Sequence, residues 1–103
     1  MADGTKKMIN RIESRVPDAL EVVGYFVETE AIVRVPVKTG NLRGSINHKV
    51  IVEDDAVRIG TPVEYAPYVE FGTSKQSAQP YLRPAVLENK KRIDKLFKRL
   101  LEV

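Results

Sequence analysis

The chain has no cysteine among its 103 residues. That excludes a disulfide framework and any thiolate metal site, and it fits a reducing compartment. There is one histidine, so a metal site would have to draw its other ligands from carboxylates. No uninterrupted apolar run approaches the roughly 18 residues of a membrane span. The N-terminal MADGTKKM lacks the apolar segment of a secretory signal, so no leader is expected. Charge is not one-sided either. Seventeen basic residues face fourteen acidic ones, for a net +3, which argues only weakly for a nucleic-acid partner. At this length one domain, 1–103, is expected, with a modest core to which assembly with partners would add stability.

What the chain does have is a concentrated middle. Tyr65 to Ala85 reads YAPYVEFGTSKQSAQPYLRPA and holds three of the four tyrosines. Tyr68-Val69-Glu70-Phe71 alternates large apolar residues with smaller or charged ones, as a half-buried strand does. Gly72 is placed to end that strand. Thr73 to Gln79 offers hydroxyls, amides and Lys75, and reads as a polar loop. Pro80-Tyr81-Leu82 turns apolar again, and Pro84 suits the first residue of a helix.

Before this middle, Ile9, Ile12, Val16, Leu20, Val23, Val27 and Ala31 recur in steps of three and four. They predict an amphipathic helix from Thr5, after a frayed stretch at 1–4. Pro17 interrupts it without shifting the phase, so the expectation is a kinked helix or two abutting ones. Gly24 costs this helix about 1 kcal/mol relative to alanine, and Pro36 ends it. Val37 to Ser45 (VKTGNLRGS) is a turn-rich connection, with Leu42 turned inward and Arg43 outward. Ile46, His48, Val50 and Val52 alternate as a strand, Glu53-Asp54-Asp55-Ala56 turns, and Val57 to Gly60 returns, making a hairpin. After Pro84, Val86, Leu87, Ile93, Leu96, Phe97, Leu100 and Leu101 predict a second amphipathic helix to the C-terminus. Residues 86 to 103 hold six basic residues against three acidic ones, so the basic character sits in that helix. The expected fold is α+β: a kinked N-terminal helix, a three-stranded antiparallel meander, and a C-terminal helix packed on the sheet.

Chemistry is sparse. Glu53-Asp54-Asp55 reads as a solvated turn rather than a metal cluster. Ser45, Ser74 and Ser77 lie in no motif that supplies a base. GTSKQ lacks the spacing of a phosphate loop. Glu64 and Glu70 flank the aromatic segment. Their favoured reading is structural, with Glu70 on an exposed strand face or paired with Arg83 or Arg43. No catalytic residue, cofactor site or metal site is assigned.

Three blocks resemble a known family. Val35 to Ile46, VPVKTGNLRGSI, is similar to the first signature of small tail-component proteins from long-tailed, flexible-tailed phages and prophages. Tyr65 to Thr73, YAPYVEFGT, resembles the second. Gln79 to Ala85, QPYLRPA, resembles the closing block, with Tyr81 where phenylalanine is usual. The resemblance runs from about Thr5 onward. It implies a non-enzymatic virion protein of the head–tail junction, either a neck protein or a tail-completion or terminator protein. Such a protein is found in the host cytoplasm during assembly and then in the virion. It implies an α+β fold and assembly into a ring, commonly a hexamer, docking between the connector or head-completion proteins and the tail tube. Thr73, Ser74, Lys75 and Gln76, with Arg83 and Arg43, would be partner-binding, the loop ordering as it meets a neighbouring subunit or ring. Basic residues of the last helix would line a DNA passage or pair with an acidic partner. The alternative reading is a small basic nucleic-acid-binding module, whose affinity would fall steeply with salt.

Overall fold

The computed structural model describes the backbone of residues 2–36 and 40–102, and the side chains of these from Glu13 onward. The Ile9 and Ile12 side chains and the turn residues Val37, Lys38 and Thr39 therefore lie outside the described residues.

Helix α1 (Ala2–Arg34) is the spine. At about 1.5 Å per residue, its 33 residues span most of the molecule's 63 Å long axis, against 24 and 21 Å across. The helix is assigned from Ala2, where a frayed end is expected, and it runs without a break through Pro17. From Leu20 onward its apolar stripe forms the core as the spacing predicts: Leu20, Val23, Val27 and Ala31 are buried, Val16 is half-buried, and Val35, just past the helix, is buried too. Pro36 ends the helix as expected. Arg34 fastens that end, donating from Nη1 to the Glu30 carbonyl (2.8 Å) and from Nε and Nη2 to Glu88 (3.1 and 2.9 Å).

The turn-rich connection contains a short helix, α2 (Gly40–Ser45). Leu42 is fully buried in it. Ser45 Oγ donates to the Leu42 carbonyl (2.8 Å) and lies 2.6 Å from Thr61 Oγ1. One hydroxyl thereby closes α2 and ties it to the chain that leaves the hairpin. Strands β1 (Asn47–Ile51) and β2 (Ala56–Gly60) pair antiparallel, with His48 opposite Ile59 and Val50 opposite Val57. A 3-10 turn at Val52–Asp54 joins them, and Asp55 takes the left-handed conformation (φ 48°) that aspartate tolerates better than most residues.

A two-stranded ribbon is marginal alone, and this one lies against α1. Gly24 is a point of close approach. A Cβ there would come within 2.7 Å of His48 Cδ2 and Val57 Cγ2. The glycine that weakens the helix locally is what lets the hairpin seat on it.

The expected third strand is absent among the described residues, and the sheet has two strands. Tyr68 to Phe71 belongs to helix α3 (Ala66–Phe71). Pro67 sits in its first turn, where its fixed φ favours a helix start and its missing N–H leaves no donor unpaired. The pattern is helical: Ala66 and Glu70, one turn apart, are buried, whereas Tyr68 and Phe71, three apart, are exposed. The C-terminal helix is also divided, into α4 (Leu82–Leu87) and α5 (Lys90–Leu100). Asn89 makes the joint. Its buried side chain donates to the Ala85 carbonyl (2.9 Å), and its own carbonyl accepts from Ile93 N (2.8 Å). Both helices pack on α1, and α5 packs on α4, so the helical layer rests on the spine more than on the sheet.

Candidate functional site

Glu70 organises the middle of the chain. Its carboxylate is buried and accepts the backbone N–H groups of Tyr81 (3.0 Å), Leu82 (2.8 Å) and Arg83 (3.2 Å). The first four N–H groups of a helix have no partner within it. At the start of α4, Glu70 takes three, and the next residue, Pro84, has none to offer. The negative charge also sits at the positive end of the helix dipole. Of the sequence expectations for Glu70, the exposed strand face is therefore wrong. The pairing with Arg83 is present but loose, at 3.7 Å from Nε, and the backbone contacts dominate.

This cap closes a loop. Gly72 adopts φ 78°, and a Cβ there would lie 2.7 Å from Ala78 N. Both facts require glycine. Residues 73–80 are all exposed. Thr73 holds their tip: its N–H donates to the Gln76 carbonyl (2.9 Å), and its hydroxyl accepts from Lys75 N (3.2 Å) and Gln76 N (3.1 Å). Gln79 N returns to the Val69 carbonyl at 2.8 Å. Thr73, Ser74, Lys75 and Gln76 are thus presented together on a shaped loop springing from the end of α3.

Beside the loop lies a hollow of about 450 Å³. Gly60, Thr61 and Val63 form one wall and α3 another, with Tyr81, Leu82 and Arg83 closing it. Its surface is mostly apolar. At the rim, the Arg83 guanidinium stands 4.9 Å from the centre of the Phe71 ring, a cation–π contact. Phe71 is 64% exposed and Tyr68 59%. Tyr81 is fully buried, and its phenol oxygen has no hydrogen-bond partner among the described residues. Burial first, then the nearby Glu70 charge and Tyr65, hold its pKa above the usual tyrosine value. Arg83 is therefore held at the root of the loop, by Glu70 and Phe71. Arg43, half-buried on α2, is not among the residues lining the hollow.

The sequence reading missed the exposure of Phe71, because a strand would have buried it. It also missed the setting of His48. That imidazole lies between two carboxylates of α1, with Nδ1 3.0 Å from Glu28 and Nε2 2.6 Å from Glu21. Seven residues separate those glutamates, two helical turns, so they share a face. Only the hairpin's register on α1 brings His48 to it. The hydrogen bond to Glu28 raises the His48 pKa, burial opposes, and Glu21 adds to the rise. The two ring nitrogens engage carboxylates on opposite edges, which makes a clasp between β1 and α1 rather than a chelate. No group of metal-ligating side chains is found among the described residues. No helix of the described residues is long and apolar enough to cross a membrane.

Fold and site together define a small α+β protein with an apolar hollow, an aromatic rim and an adjoining polar loop. The chain belongs to the HK97-gp10-like family, described as a bacteriophage HK97-gp10 tail component, which residues 1–72 match. The match spans α1, the hairpin and α3, and stops at Gly72. The loop, the rest of the Glu70-capped joint and α5 lie beyond it. Neither the curated proteins nor the solved structures contain a match to this chain.

Proposed function

We propose that this tail component works at the head–tail junction. It assembles into a ring and docks between the connector on one side and the tail tube on the other, as a tail-completion, terminator or neck protein. The observation that carries the reading is the pairing of the hollow with the loop. A concave apolar surface, an exposed aromatic pair and a run of polar loop residues stand side by side. Interfaces combine these features in the same way, with an aromatic-rich centre and a polar rim. Ring closure needs two different complementary patches per subunit. The hollow with its loop supplies one. The outward strip of α1 supports the other, with Val22, Tyr25 and Val33 exposed on the side away from the core.

The assay is head–tail joining in a phage lacking its own copy. Lys75→Ala, Gln76→Ala and Arg83→Ala together remove exposed side chains; Arg83 gives up only its loose 3.7 Å contact with Glu70 and its place over Phe71, while the backbone N–H groups that Glu70 caps remain, so the fold is kept. Joined particles fall at least tenfold if these residues carry the contact. Wild-type yields from the triple variant would show that the loop and rim are not the docking surface.

A further inference from the structure

Helix α5 is the most charged element of the molecule. Between Lys90 and Leu100 it carries six cations and one carboxylate, a net +5. The whole chain is +3, so everything outside α5 sums to −2. At 100° per residue, Lys91, Arg92, Lys95, Lys98 and Arg99 fall on one face roughly 120° wide and about 12 Å long. All five are exposed. The opposite face is spoken for, since Ile93, Leu96 and Phe97 pack on the core. Asp94 pairs with Lys98 at 3.1 Å, an exposed (i, i+4) contact that neutralises little. Glu88, the carboxylate just before α5, is engaged by Arg34.

We propose that this face of α5 binds the phosphate backbone of duplex DNA without reading its sequence. The face suits that partner better than others. It holds no apolar side chain, whereas protein interfaces concentrate aromatic residues at their centre and are depleted in lysine. A helix lying on a membrane must insert its apolar face, and here that face is occupied by α1. Lysine and arginine at successive turns match a polyanion with one charge per about 1.7 Å of axis, and such contacts position a protein without specifying bases. The proposal needs only the folded chain and stands apart from ring assembly and docking.

The test is fluorescence anisotropy of a short mixed-sequence duplex titrated with the protein across a salt series. With about four phosphates neutralised, log Kobs falls linearly with log[salt] at a slope near −4. Lys91→Gln, Lys95→Gln and Arg99→Gln together leave Arg92 and Lys98 on the face and bring the slope to about −2. They leave the thermal melt unchanged, because these side chains are outside the core. Lys75→Gln, off this face, leaves the slope as it was. The proposal is overturned if the folded wild-type protein shows no binding at low salt, or if the triple variant keeps the wild-type slope. It is equally overturned if polyglutamate competes as well as DNA at equal charge, which would mark the face as a dock for an acidic protein.

Discussion

Replacing Glu70 by alanine tests how the middle of the chain is held. The change withdraws the acceptor for three backbone donors, at Tyr81, Leu82 and Arg83. An orphaned buried donor costs about 1–3 kcal/mol. The lost carboxylate also forfeits about 0.3–1 kcal/mol, and up to about 2, of attraction to the helix dipole. Water reaches part of the site, since Leu82 and Arg83 are only partly covered, so the sum is discounted to about 3–5 kcal/mol. Against a domain stability of about 5–15 kcal/mol that is a large fraction. Glu70→Gln keeps one acceptor oxygen but turns an NH2 toward the donors, and should lose about half as much. Urea denaturation followed by circular dichroism measures both, and Glu64→Ala, an exposed neighbour, is the control. Amide exchange at 81–83 should rise before that of α1. If Glu70→Ala changes stability by less than about 0.5 kcal/mol, with exchange at those amides unaltered, the cap is not what holds α4 to α3.

Two further outcomes follow from buried polar groups. Tyr81→Phe removes a phenol oxygen that is buried without a partner among the described residues. The ring and its packing stay, so stability should rise by about 1 kcal/mol, and a lower melting temperature would show that the hydroxyl has a partner after all. His48 gives a pH dependence. Its folded pKa is raised above 6.5 by Glu28 and Glu21. The stabilisation is therefore complete below the unfolded value and is lost as pH rises through the folded one. Denaturation midpoints should fall from pH 6.5 upward, and His48→Gln should flatten that dependence. A wild-type curve already flat across this window would refute the clasp.

Much of the fold was legible because one long helix dominates it. Leu20, Val23, Val27 and Ala31 lie in a 3–4 rhythm that only a helix buries on one side. The hairpin was equally plain, from alternation on both sides of an acidic turn. Tyr68 to Phe71 misled because four residues are too few to separate period 2 from period 3.6. The deciding signal was Pro67, which begins helices better than it precedes strands. The division of the last helix was not read from the sequence. Val86 and Leu87, counted on its apolar stripe, are exposed, whereas Ile93 packs on the core, and the joint at Asn89 lies between them. Of the site, the sequence pointed to the loop and to Arg83. It could not show that Glu70 turns inward, because that depends on a loop of about ten residues returning α4 to α3. Nor could it place Glu21 and Glu28 beside His48, a contact set by how the hairpin seats at Gly24.

The most direct test of the proposed role is position in the virion. A labelled copy of this chain, incorporated into mature particles and imaged by electron microscopy, should give a single site of label per particle, at the joint between head and tail. Label repeated along the tail tube, or gathered at its far tip, would contradict a junction protein, while leaving the chain a tail component of another kind.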